Sequence, residues 1–388
     1  MIDIPRILQV LRPAAGGMLG HLENLLEGLN QAGYELVIAC PFEERTLRCL
    51  RAAGTLHLFP LDTGDGLRIG ADPYTAGRLA KFLKRQRFDL IHAHGAKAGL
   101  IARLALMKSH LATPVIVSYH NEILPPNRHF HVRIMRLHAE RLLKNRTSHF
   151  IAVSPSIQQE LVEKILCPPH KVSFIPNGIQ LDPNNDGQVP DLNNLLLWDK
   201  AQELFVIGTA LRFTWEKGID VLLDGFTHAV KVEPQLRLVL IGDGPQEDWI
   251  KEQIDARGLQ EKIRLLGYIE NARRLFSLFD AFVLPSRTEG WPLTIMEAMS
   301  AGIPVIASRV GGIPTLLADG EYGILVEPGD AQGLGEACMA LARNPENARA
   351  AGQKAAAYAR ANFDTGKMVD HVQELYATAI GVNSINTR

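Results

Sequence analysis

Residues 284–308 read LPSRTEGWPLTIMEAMSAGIPVIAS, and the rest of the chain makes most sense arranged around them. A short apolar strand over 281–284 runs into a polar loop over 285–291. Pro292 opens a helix, where its missing N–H costs nothing. Glu289 stands in the loop, and Glu297 falls in the second turn of the helix. The helix ends near Gly302, and 304–308 reads as a second buried strand. A strand, a glycine-containing loop and a helix start make an anion site, because unpaired backbone N–H groups point out of the helix end. Two carboxylates beside such a site would repel phosphate alone. They suit a ligand that carries hydroxyl groups as well as phosphate, as a nucleotide sugar does.

Outward from this stretch, strands alternate with helices in both directions. Upstream, strands are expected over 204–211, 236–241 and 263–266, with a tight Gly242-Asp243-Gly244-Pro245 turn and a helix over 271–279. Downstream come Gly311-Gly312-Ile313-Pro314, a strand over 324–326 and helices, the last over 367–379. The first half repeats the alternation, with strands over 6–11, 36–39, 56–59, 89–94, 115–118, 149–153 and 171–175. Helices are expected over 18–32, 43–53, 73–86, 97–109 and 127–146. Such alternation implies right-handed crossovers and parallel sheets covered on both faces. Ligands of these sheets bind at the carboxyl ends of the strands. In the first half that edge holds Gly16, Gly17, His92, His94 and His120. The fold class is therefore α/β: two tandem Rossmann-like domains whose parallel sheets face a cleft. The Pro/Asn/Asp/Gly-rich segment over 182–194 is the best linker. It divides the chain into 1–187 and 188–364, with the terminal helix of 365–388 packing back on the first domain.

Composition narrows the function classes. The chain has 388 residues, 46% hydrophobic and 21% charged, and a net charge of −1, an ordinary globular composition that argues against bulk nucleic-acid binding. Residues 1–187 carry 22 Lys/Arg against 16 Asp/Glu and the remainder 19 against 26, so a basic half adjoins an acidic one. Cys40, Cys49, Cys167 and Cys338 have no metal-ligand spacing and read as free thiols of a reducing compartment. No signal peptide and no bilayer-length apolar run are visible, so a cytoplasmic protein is expected. The helix over 127–146 is basic and amphipathic. Phe130, Ile134, Leu137 and Leu142 lie among Arg128, Arg133, Arg136, Arg141, Lys144 and Arg146. A solvated helix face is one reading; contact with anionic headgroups at the inner membrane face, or with a phosphate-bearing acceptor, is the other.

A leaving nucleoside diphosphate needs positive charge where its negative charge develops. Arg212 and Lys217 follow the first strand of the second half and turn toward the same edge, one as a fork and one as a point charge. The helix after Pro292 adds N–H donors and its dipole. No Asp-x-Asp occurs in the sequence, which removes the simplest carboxylate clamp for a bridging metal.

At these residues the chain resembles the retaining glycosyltransferases of family four, which have the two-domain GT-B fold. The resemblance covers nearly the whole length. It is carried by Glu289-x7-Glu297 with EGWPLTIMEAMSAGIPVIAS around it, Gly311-Gly312-Ile313-Pro314, Arg212-x4-Lys217-Gly218, FIPNGI from Phe174, and the Gly16-Gly17 loop. It implies that Arg212 and Lys217 hold the donor diphosphate, Glu289 meets the transferred sugar and Glu297 the ribose. Gly290, Trp291, Pro292, Leu293 and Thr294 would supply backbone donors, Gly16 and Gly17 would approach the diphosphate, and Tyr268 and Ile269 would line the base site. His120 would stand close to the reacting sugar. Much of the family has an acidic residue and then Arg or Lys after the glycine pair, whereas here Met18-Leu19-Gly20-His21 follows, which puts His21 on the acceptor side with His94. The resemblance implies metal-independent, retaining transfer from a nucleotide sugar, UDP-linked before GDP-linked, to a sugar or lipid-linked acceptor in cell-surface polysaccharide or glycolipid synthesis. No cofactor and no nucleic-acid partner are expected. A nucleotide-sugar epimerase or hydrolase would use the same diphosphate site, and a non-catalytic scaffold would turn nothing over.

Overall fold

The structure is a computed structural model that describes residues 4–13, 16–44, 46–47, 50, 54, 57–64, 68, 70–124, 129–181, 198 and 203–381. The chain divides into two compact units, Met1–Gly178 with Thr365–Arg388, and Ile179–Asp364. The division falls earlier than the 187/188 boundary read from composition. Ile179 already belongs to the second unit, where its N–H donates to Phe363 O (2.8 Å) and it bridges Asp364 in parallel. The expected linker over 182–194, Arg128, Cys49 and most of the helix expected over 43–53 lie outside the described residues.

The first unit is built on a seven-stranded sheet in the order β3-β2-β1-β4-β5-β6-β7. Its strands are β1 (Arg6–Val10), β2 (Glu35–Cys40), β3 (His57–Pro60), β4 (Leu90–His94), β5 (Val115–Tyr119), β6 (His149–Ala152) and β7 (Val172–Phe174). All the pairings are parallel; in the centre Leu8 of β1 faces Val37 of β2 and Ile91 of β4. These central strands are buried on both faces, which is why they read as unbroken apolar runs rather than alternating ones. Order reverses between β1 and β4, the switch point of the sheet. The helix Gly17–Gln31 lays Leu22, Leu25, Leu26 and Leu29 into the core. The terminal helix, Thr365–Ile380, packs against it and buries Met368, Val369, Val372 and Tyr376 in the same cluster. Two contacts secure the exit from this unit: Asn24 Nδ2 donates to Gly178 O (3.1 Å), and Gly178 N–H points at Met368 Sδ (3.3 Å).

The second unit has a six-stranded parallel sheet in the order β10-β9-β8-β11-β12-β13. Its strands are β8 (Phe205–Ala210), β9 (Leu236–Ile241), β10 (Ile263–Gly267), β11 (Ala281–Leu284), β12 (Val305–Ser308) and β13 (Ile324–Val326). The switch point lies between β8 and β11. Phe213, Phe226, Leu238, Val283 and Leu334 centre the core. The helical segment expected over 271–279 is a 3₁₀ run, Ala272–Leu278, entered through Asn271 in the left-handed region. One local expectation is corrected. Pro292 caps the next helix, Leu293–Ser300, from an extended conformation rather than forming its first turn. Cys40, Cys167 and Cys338 are free and buried. Among the described residues no helix is long and apolar enough to cross a membrane.

Packing between the two helices of the first unit leads to a paired prediction. A Cβ at Gly28 would stand 2.5 Å from a Val369 methyl, whereas a Cβ at Gly77, in the helix Ala71–Arg85, meets nothing within 4 Å. Gly28→Ala is therefore expected to destabilise the chain by about 1–3 kcal/mol through overpacking. Gly77→Ala is expected to stabilise it by about 0.5–1 kcal/mol. Urea unfolding followed by far-UV circular dichroism reads both; equal effects of the two substitutions would contradict the packing.

Candidate functional site

The second unit brings its chemistry to the switch point. The loop after β8 carries Arg212 and Lys217, and the loop after β11 carries Ser286 and Glu289. Lys217 Nζ donates to Glu289 Oε1 (2.5 Å), and Ser286 Oγ donates to the same oxygen (2.6 Å). Glu289 is buried, at 7% exposure, so Lys217 and Ser286 are its compensation for lost water. Arg212 opens the same loop, exposed and without an ion-pair partner among the described residues.

Three loops hold this arrangement by backbone contact. Gly218 lies in the left-handed region (φ 65°), and a Cβ there would fall 2.1 Å from Pro285 O. Gly311 (φ 55°) is tighter still, since its Cβ would meet Glu289 O at 1.8 Å, and the next residue, Gly312, donates its N–H to Gly290 O (3.0 Å). Only glycine fits either place. Arg287 ties the outer side, donating to both carboxylate oxygens of Asp220 (2.8 and 2.6 Å) and to Trp215 O (2.9 Å), while its own N–H reaches Glu216 O (2.8 Å).

Beyond Glu289 the helix Leu293–Ser300 starts with no side-chain cap and no acidic residue in its first turn. Its leading N–H groups are the free donors that an anion would satisfy. Gly290, Trp291, Pro292 and Leu293 are buried and Thr294 half-buried. The Trp291 ring packs edge-on against Phe363 (centroids 6.2 Å apart). Glu297, on the next turn, is unlike Glu289. Burial raises its carboxyl to about 7, with Arg273 pulling the other way. Tyr268, 52% exposed, and half-buried Ile269 follow the end of β10.

At the switch point of the first unit, Gly16 (φ 57°) and Gly17 open a helix that again has no side-chain cap and no acidic first turn. Three imidazoles gather there: His21 from that helix, His94 from the end of β4 and His120 just after β5. His94 Nδ1 and His120 Nε2 are 3.3 Å apart, and the His21 and His120 ring centroids 4.7 Å. A buried chain of hydrogen bonds continues behind them. It runs from His94 Nε2 to Gln9 Oε1 (2.9 Å), Gln9 Nε2 to Tyr376 OH (3.0 Å), Tyr376 OH to His92 Nδ1 (2.6 Å) and His92 Nε2 to Ser118 Oγ (2.7 Å). Burial lowers His21 to about 4 and His92 to about 3, the latter helped by His21, and holds His94 and His120 well below the ordinary histidine range, where neighbouring charges add to it. All four rings are therefore neutral at pH 7.

Several of these partners were not legible from spacing. Ser286 could have been suspected only from its place three residues before Glu289. Arg273, Gln9 and Tyr376 have no local signal, because their partners lie far away in sequence. The basic helix, Phe130–Leu143, also changes character. Glu140 is buried and takes both ends of the Arg103 fork (2.9 and 3.1 Å). Arg136 donates to Ile123 O, Arg141 to Lys164 O and Lys144, in the following turn, to Leu166 O, so three of its cations hold backbone carbonyls. Arg133 is half-buried. Phe130, Ile134, Met135 and Leu142 remain exposed.

Comparison with known proteins agrees with this geometry. The family described as glycosyl transferases group 1 matches residues 198–358, and glycosyltransferase family 4 matches residues 15–183. A UDP-Gal:alpha-D-GlcNAc-diphosphoundecaprenol alpha-1,3-galactosyltransferase of Escherichia coli is 27% identical over 65% of this chain and 66% of its own length. A phosphatidyl-myo-inositol mannosyltransferase of Mycobacterium leprae is 26% identical over 94% of this chain and 93% of its own. Among solved structures, Anabaena HepE in complex with UDP-glucose superposes with a TM-score of 0.82 at 21% identity, covering 96% of this chain and 99% of that one. With one such match on each unit and two parallel sheets, the chain belongs to the group 1 glycosyltransferases and has the GT-B fold.

Proposed function

We propose that this glycosyltransferase moves a sugar from a nucleotide-sugar donor, UDP-linked in preference to GDP-linked, to an acceptor hydroxyl with retention at the anomeric carbon and without a metal. The observation that carries the reading is the meeting of Lys217 and Glu289, pinned by Ser286, beside the uncapped start of the helix Leu293–Ser300. A diphosphate takes the helix N–H groups and the ammonium of Lys217, with Arg212 as the second cation. Both hydrogen bonds to Glu289 land on Oε1, so Oε2 is the oxygen that accepts a sugar hydroxyl. Glu297 accepts from the ribose, and Tyr268 and Ile269 flank the base. As the donor bond loosens, the diphosphate oxygen gains charge, is stabilised by the same cations, and takes the proton of the incoming hydroxyl. The neutral His120 ring orients the acceptor.

The activities of the relatives, on a diphosphoundecaprenol-linked sugar and on phosphatidyl-myo-inositol, favour a lipid-linked acceptor and a role in glycolipid or polysaccharide synthesis. The exposed Phe130, Ile134, Met135 and Leu142 support peripheral contact of that helix with a membrane. With Arg136, Arg141 and Lys144 engaged by carbonyls, the apolar residues rather than the cations carry that contact.

Glu289→Gln and Lys217→Ala are each expected to lower kcat by about 100-fold or more. Transfer should survive EDTA, and the anomeric configuration of the product should match the donor by NMR. Near-normal kcat in both variants, loss of transfer in EDTA or inversion would each overturn its part of the reading. Glu297 gives a pH signature. A carboxyl raised from 4.5 to about 7 on folding binds its proton more tightly in the native state, so its contribution is full below 4.5 and lost as pH rises through about 7. All four tryptophans lie after residue 187, and their fluorescence should show the second unit losing stability over that interval, with Glu297→Gln flattening the slope. An unchanged slope in the variant would contradict the assignment. In sedimentation with vesicles, binding should persist at high salt and fall in Leu142→Ser/Phe130→Ser; a salt-abolished interaction would instead make it electrostatic.

A further inference from the structure

We propose that His21, His94 and His120 form a binding site for a divalent transition-metal ion of the zinc class, separate from the donor chemistry of the second unit. One ring nitrogen from each lies within 4.8 Å of the other two. His94 Nδ1 and His120 Nε2 face each other at 3.3 Å. Two imidazoles on a tetrahedral ion, with bonds of about 2.0–2.1 Å, place their nitrogens about 3.3 Å apart. This pair therefore already spans one coordination edge. His21 supplies the third ligand. It is 6% exposed, and its Nδ1 has no hydrogen-bond partner, a buried lone pair or N–H that folding leaves unsatisfied.

A second observation is the shell behind the ligands. A metal-bound histidine usually gives its other N–H to a carbonyl or carboxylate, which fixes the tautomer. Gln9 does this here. Its Nε2 donates to Tyr376 OH, so its oxygen faces His94 Nε2, and the His94 proton sits on that nitrogen. The Nδ1 lone pair of His94 is thereby turned toward His120 and His21. Loading requires His120 to carry its ring proton on Nδ1 rather than Nε2, with no net proton released from the neutral cluster. Three imidazoles with no carboxylate select zinc, copper, nickel or cobalt over magnesium or calcium. His120 is only half-buried, which leaves a fourth position for water, the ligand count of an open site. On the reading given above, an ion here takes the lone pair of His120 away from the acceptor, so the site is inhibitory, in keeping with transfer that needs no metal.

Cobalt(II) titrated into the EDTA-treated full chain tests this. A saturable visible d–d band of tetrahedral intensity at one ion per chain is expected. His21→Ala and His94→Ala should each abolish it, Gln9→Ala should weaken the affinity by about 10–100-fold, and His228→Ala, exposed in the second unit, should leave it unchanged. Far-UV circular dichroism verifies that the variants are folded. Absence of the band in the wild-type chain overturns the proposal, as does a band unaltered by both His21→Ala and His94→Ala. Zinc should inhibit transfer and EDTA restore it. A chain that turns over no donor would remove the proposed function while leaving the cobalt spectrum to decide the metal site.

Discussion

A carboxylate that is 7% exposed needs a partner, and the ion pair of Glu289 with Lys217 is the constraint around which the second unit is arranged. The two residues come from loops on either side of the sheet's switch point, so their meeting depends on strand order rather than on nearness in sequence. Backbone packing keeps them there. Gly218 lies against Pro285 and Gly311 against Glu289, each too close for any Cβ. On the function proposed above, the pair presets the site, with the Lys217 charge held in place for a diphosphate by backbone packing, as in preorganised electrostatic stabilisation.

The two glutamates of the same segment, eight residues apart, stand in different surroundings. Glu289 sits in a loop beside an ammonium and a hydroxyl, and is held as an acceptor. Glu297 is on the helix, where burial outweighs the pull of Arg273 and raises its carboxyl to about 7, so that both protonation states are populated at pH 7. A group poised in this way can accept a hydrogen bond when ionised and donate one when protonated. The first unit takes the opposite course. Its switch point gathers imidazoles that burial keeps uncharged, and it secures them through Gln9, Tyr376 and His92 rather than by ion pairs.

The sheets were legible in the sequence because their central strands are buried on both faces and read as continuous apolar runs, Leu236–Ile241 and Val115–Tyr119 among them. The helix starts were legible from Gly16-Gly17 and Pro292, although Pro292 proved to be the cap. The pairing of Lys217 with Glu289 was not legible: it depends on the order of the strands, which no local motif reports. What stayed hidden depends on long-range contact. Tyr376 meets His92 and Gln9 only because the terminal helix returns to the first unit, and no periodicity in either segment marks that meeting. The cations of the basic helix misled in a similar way. Composition counts charges, whereas the structure spends Arg136, Arg141 and Lys144 on the carbonyl ends of neighbouring segments.

The most direct test of the central claim, that the Lys217–Glu289 group and its helix start hold a nucleoside diphosphate sugar, is a thermal-shift screen of UDP- and GDP-sugars on wild-type and Lys217→Ala chains. A ligand at a hundred times its Kd adds about 2.7 kcal/mol to the folded state. The account predicts that one UDP-sugar raises the melting temperature of the wild-type chain and that the variant loses most of that shift. No shift with any nucleotide sugar, or an equal shift in both chains, would contradict it.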